Sequence, residues 1–114
     1  MSQKVTVELK PGFHVNSNAP ADEYLIPLRL TWSKAPLEAG QINWPKPEFQ
    51  HYAFSEKPVS LFTGRFDIVT RFKTPPNAQP GMAMMTGKLR YQACNERECL
   101  PPKTVDVQFA VDIQ

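Results

Sequence analysis

Twelve prolines are scattered through the 114 residues, so few stretches can run as uninterrupted helix. A proline inside a helix removes a backbone donor and clashes with the preceding turn, and long helices are therefore excluded. The segments between the prolines alternate in polarity with a period of two, the signature of strands half-buried on one face. Val5, Val7 and Leu9 share one face. Ile26, Leu28, Leu30 and Trp32 share a second, Phe66, Ile68, Thr70 and Phe72 a third, and Val105, Val107, Phe109, Val111 and Ile113 a fourth. Shorter strands are predicted around Phe13 to Val15, Ile42 to Trp44, Val59 to Phe62 and Leu89 to Ala93, with turns such as Thr74 to Gly81 between them. About seven or eight antiparallel strands in this length predict an all-β, immunoglobulin-like sandwich. The length predicts a single domain over residues 1–114.

Charge and hydropathy exclude several classes of function. Thirteen basic residues against eleven acidic ones give a net charge of +2, and no Lys/Arg cluster forms the footprint of a nucleic-acid binder. No apolar run approaches the roughly 20 residues of a membrane span. Met1-Ser2-Gln3 leads into Val5-Thr6-Val7 without the apolar core of a signal peptide. The domain itself is expected to make no membrane contact, although it can belong to a membrane protein.

Cys94 and Cys99 are the only cysteines, with four residues between them. The alternating run Lys88 to Ala93 leads into the first, and Pro101-Pro102 follow the second, so the pair brackets a short hairpin loop. Facing residues across such a loop lie roughly 4.5 to 5.5 Å apart between Cα atoms, within reach of a disulfide. Closing a loop of about six residues stabilises by roughly 2 kcal/mol, less than a bridge between distant strands. A domain of this size can bury a core without one, and short, exposed disulfides are the more reducible kind. Spacing alone leaves a structural disulfide, a redox pair, and free thiols or a metal site all open. A working disulfide implies an oxidising compartment, and an export signal or membrane anchor outside these residues is then expected. With Leu89, Tyr91 and Ala93 facing the core, Cys94 is expected to point outward with Arg90 and Gln92.

Gly12-Phe13-His14-Val15-Asn16-Ser17-Asn18, the segment Tyr24 to Trp32, and the frame Tyr91-Gln92-Ala93-Cys94 through Cys99-Leu100-Pro101-Pro102 resemble the amino-terminal domain of the DsbD thiol:disulfide interchange proteins. The resemblance runs over nearly the whole chain, and the Tyr-Gln-x-Cys…Cys-x-Pro-Pro frame is its most specific part. It implies an immunoglobulin-like periplasmic domain whose cysteine pair, here Cys94 and Cys99, shuttles between disulfide and dithiol. Reducing equivalents would come from a thioredoxin-like donor and pass to periplasmic client proteins. It also implies that mixed disulfides form at Cys99, with Cys94 resolving them. A cap loop with an aromatic tip is implied within Phe49 to Pro58; Phe54 is the first choice of tip and Tyr52 the second. The best-known members have five residues between their cysteines where this chain has four. A reading from a different class is an immunoglobulin-like protein-binding module with an inert structural disulfide.

The remaining polar residues are read more plainly. His14, opposite in phase to Phe13 and Val15, reads as solvent-facing on strand phase. The resemblance instead puts His14 and Asn16 beside the cysteines, where an imidazole can move a thiol proton near neutral pH. His51 reads as a polar loop residue, and Glu96, Arg97 and Glu98 as a solvated hairpin tip or a surface read by a partner. Met82, Met84 and Met85 read as packing rather than Cu(I) ligands, and Trp32 and Trp44 as core or interface. The two cysteines and two distant histidines match no zinc spacing. No Ser-His-Asp set, paired acid/base signature or phosphate-binding glycine loop is picked out, and no cofactor is expected.

Overall fold

The computed structural model describes residues 1–20, 25–52 and 58–114. Ten strands occur among them: β1 Ser2–Glu8, β2 His14–Asn16, β3 Arg29–Trp32, β4 Glu38–Asn43, β5 Glu48–Gln50, β6 Val59–Thr63, β7 Arg65–Lys73, β8 Gly81–Tyr91, β9 Ala93–Cys94 and β10 Lys103–Ile113. All pairings are antiparallel and no helix is present among the described residues. The fold is an all-β, immunoglobulin-like sandwich, with more strands than the seven or eight expected. The extra elements are short: β5 and β9 have three and two residues, too few for an alternation to register in sequence.

Three sheets run in the orders β1-β7-β4, β10-β8-β3 and β5-β6-β2-β9. The first two face each other. Ile68 of β7 packs with Leu30 and Leu89 of β3 and β8, and Val5, Val7, Trp32 and Val107 close around them. Trp32 Nε1 donates to Thr70 Oγ1 at 3.0 Å, which satisfies the one polar atom the indole carries into the interior. Its ring meets Phe72 and Phe109 edge-on, with centroids 5.0 and 5.8 Å away. The expected strand from Ile26 to Trp32 is shorter than its alternation, beginning only at Arg29. Pro27 has no N–H to offer a ladder.

The third sheet forms where strands leave the first two. Gly64, at φ 65°, turns the chain between β6 and β7, a conformation favoured by a residue without a Cβ. Gln92 interrupts the alternating strand and passes it from β8 to β9. At the start of β2, Lys10-Pro11-Gly12-Phe13 makes a β-turn closed by Phe13 N–H to Lys10 O at 3.1 Å. Pro11 supplies its fixed φ and Gly12 a φ of 86°, the residue pattern of a type II turn.

All three residues of β2 are buried, because its sheet is covered on both faces. Val15 points into the main core with Phe62. On the other face a smaller apolar cluster joins Leu25, Val59 and Leu61, with Tyr52 packed against it. Asn16 belongs to this second layer: its Nδ2 donates to Ile26 O at 2.9 Å, holding the chain segment that covers the sheet.

Candidate functional site

The cysteine loop is built by its own backbone and by one asparagine. Leu100 N–H donates to Ala93 O at 2.8 Å and Asn95 N–H to Glu98 O at 2.9 Å. The two bonds flank Cys94 and Cys99, which form a directly opposed antiparallel pair. Asn95 Oδ1 accepts from Arg97 N–H at 2.8 Å and Glu98 N–H at 2.9 Å, an Asx turn that the side chain closes in place of a backbone carbonyl. Cys94 and Cys99 are bonded, with Cα atoms 4.0 Å apart. The loop residues Glu96, Arg97 and Glu98 are exposed.

The two sulfur-bearing residues are unequal. Cys99 is exposed, whereas Cys94 has 0% of its surface accessible. Cys94 therefore does not point outward as strand phase predicted. The alternation of Leu89 and Tyr91 ends at Gln92, and the two residues after it pair with β2 in another sheet. The side that counts as inward is reset there.

His14 is the other correction, since it is 2% exposed rather than solvent-facing. It stands opposite Cys94 on one side and Thr63 on the other. Directly opposed residues of an antiparallel pair project from the same face, so Thr63, His14, Cys94 and Cys99 form one row across the sheet. The Tyr52 ring stacks on the imidazole, centroids 4.8 Å apart and planes 23° from parallel. Its hydroxyl donates to Gln50 Oε1 at 2.9 Å and lies 3.3 Å from His14 Nδ1. His14 Nε2 is buried with no hydrogen-bond partner among the described residues, as is Asn16 Oδ1. Burial holds the His14 pKa below its ordinary 6.5. Burial, then the negative charges of Glu96 and Glu48, push the Tyr52 phenol above its ordinary 10.0.

A cleft of about 330 Å³ opens beside this row, walled by Lys10 to Phe13, His14, Tyr52 and Glu96. Of the residues expected at the site, the structure brings His14 beside Cys94 and Tyr52 onto His14. Asn16 lies two positions along β2 and holds Ile26. Phe54 lies outside the described residues. His51 is exposed. Gln50 escaped the sequence reading, and Glu96, read there only as part of the hairpin tip, also walls the cleft. The period-two spacing of Gln50 and Tyr52 is a signal in the sequence for their shared side. Among the described residues no three His, Cys, Asp or Glu side chains gather to hold a metal ion, and no helix is long and apolar enough to cross a membrane.

Residues 2–110 match the family described as "Thiol:disulfide interchange protein DsbD, N-terminal". No curated protein matches the chain. With nearly its full length covered, the chain belongs to that family, and it is a thiol-disulfide interchange domain carrying a Cys94–Cys99 disulfide.

Proposed function

We propose that this domain relays reducing equivalents from a thioredoxin-like donor to periplasmic client proteins by cycling the Cys94–Cys99 disulfide. The observation that carries this reading is the inequality of the pair, exposed Cys99 against fully buried Cys94. Exchange requires a thiolate to approach one sulfur in line with the S–S bond, and the exposure of Cys99 against the burial of Cys94 supports Cys99 as the one approached. A donor thiolate attacks Cys99 Sγ, the S–S bond breaks, and Cys94 leaves as the thiolate. The donor's second thiol then releases Cys99. In the outgoing half, Cys99 attacks a client disulfide, and Cys94 attacks Cys99 Sγ, which frees the reduced client and remakes the intramolecular bond.

Leu100, 38% exposed immediately after Cys99, gives a docking partner apolar surface at the point of attack. Pro101 and Pro102 offer no N–H to a neighbouring strand and keep that edge open. The loop containing Phe54 is the proposed cap, shielding the sulfurs from unintended thiols. The test is trapping with a thioredoxin-like donor: Cys94→Ala accumulates a mixed disulfide through Cys99, and Cys99→Ala accumulates none. The reverse pattern would exchange the two roles.

A further inference from the structure

We infer that His14 Nε2 is the base that removes the proton from Cys94 when Cys94 resolves a mixed disulfide, and that Tyr52 is the positioning residue that fixes which imidazole nitrogen is free to do so. The inference rests on the relay reading above and adds a proton path to it.

The geometry of β2 and β9 places the two side chains next to each other. His14 and Cys94 are cross-strand partners on one face of the sheet, a placement that sets Cβ atoms roughly 4.5 to 5.5 Å apart. Both are buried, so water is a poor acceptor for whatever proton Cys94 carries. Apolar burial makes a thiol hold its proton, and the thiolate is the nucleophile. A resolving thiol in such a place needs a base within the protein.

The tautomer follows from counting protons. Tyr52 has one hydroxyl proton and donates it to Gln50 Oε1 at 2.9 Å. The 3.3 Å contact between the same oxygen and His14 Nδ1 is then made by an Nδ1–H donating to it. A neutral imidazole protonated at Nδ1 carries its lone pair at Nε2, the atom left buried and unpartnered among the described residues. An orphaned buried acceptor costs free energy, and a base awaiting a proton accounts for its retention. Burial lowers the imidazole pKa and so favours the neutral ring, the form a base needs. The other titratable and charged groups facing His14 among the described residues are Tyr52, Glu48 through Thr63, and Glu96 and Lys10 in the cleft wall.

In the step itself the Cys94–Cys99 bond forms, the bond from Cys99 to the partner sulfur breaks, and the partner leaves as a thiolate with that electron pair. The Cys94 proton moves to Nε2. The imidazolium then loses one proton to water in the cleft, which restores the neutral Nδ1–H ring with Nε2 free. The reverse reaction returns the proton to Cys94 by the same path.

Dithiobis-nitrobenzoate tests this without a natural partner. It oxidises the reduced domain in two optical phases: attack by Cys99 releases one coloured thiolate, and resolution by Cys94 releases the second. The first phase reports exposed Cys99 and serves as internal reference. Between pH 6 and 8, His14→Gln is expected to slow the second phase by about tenfold or more, the low end of general-base effects. The gap narrows as pH rises, because hydroxide increasingly takes the Cys94 proton without the imidazole. Tyr52→Phe keeps the stacked ring, loses the phenol oxygen, and is expected to slow the second phase less while moving its pH midpoint. An unchanged second phase in His14→Gln, or one lowered by the same factor at every pH, overturns the inference. If His14→Gln does not fold, Tyr52→Phe decides: a wild-type pH profile there overturns it. A wild-type domain with no second phase would instead refute Cys94 as the resolving sulfur, and the relay reading with it.

Discussion

His14 and Cys94 face each other across β2 and β9, both buried, while Cys99 on the far side of the disulfide is exposed. In the proposed relay the exposed member of the pair meets partners and the buried one faces the imidazole, so access and proton handling fall on different atoms of the same bond. The division depends on the second apolar layer of Leu25, Val59, Leu61 and Tyr52, without which β2 would have an open face and His14 would sit in water.

The reduction potential separates a relay from an inert staple. A working relay is expected to lie between thioredoxin and the glutaredoxins, roughly −270 to −200 mV, and a structural disulfide below about −300 mV. Equilibration with a glutathione or dithiothreitol couple measures it. A value in the lower range would favour the protein-binding module.

Removing the cap should change rate more than equilibrium, because shielding acts on access. Phe54→Ala is expected to speed reduction by dithiothreitol, with the potential staying within about 30 mV, a shift equivalent to about 1.4 kcal/mol. Stopped-flow reduction of the oxidised protein reads the rate. An unaltered rate would mean that Phe54 guards nothing.

Acid should destabilise the oxidised domain through His14. Its folded pKa lies below 6.5, so as pH falls through 6.5 the unfolded chain takes up protons that the folded one refuses. Stability is therefore full above about pH 6.5 and declines below it until the folded pKa is reached. Thermal melts between pH 7.5 and 5 are expected to show a falling Tm, with a smaller fall in His14→Gln. Equal falls in both proteins would place the acid sensitivity elsewhere.

Gly87→Ala tests the main core independently of the redox site. A Cβ there would lie 2.6 Å from Trp32 Cε3 and 3.0 Å from Cδ2. Trp32 cannot retreat easily, held as it is by Thr70, Phe72 and Phe109. The substitution is expected to cost about 1 to 3 kcal/mol, the usual penalty for overpacking, seen as a lower urea midpoint. The reduction potential should not move. A neutral effect on stability would show that the indole can shift at little cost.

The main strands were legible because alternation is a local property. Val5 and Val7, Phe66 to Phe72 and Val107 to Ile113 lie in β1, β7 and β10, and the Pro11-Gly12 turn that launches β2 follows from the φ preferences of two residues. The feasibility of the Cys94–Cys99 bond also follows from spacing, since a short antiparallel loop sets its own ends opposite each other. Burial at the site could not be read this way. Strand phase carries information only while a strand continues, and at Gln92 the chain leaves one sheet for another. The burial of Cys94 and the exposure of Cys99 depend on which sheet receives the chain after that break. His14 is buried because Tyr52, 38 residues away in sequence, lies on it, a contact that no local pattern encodes.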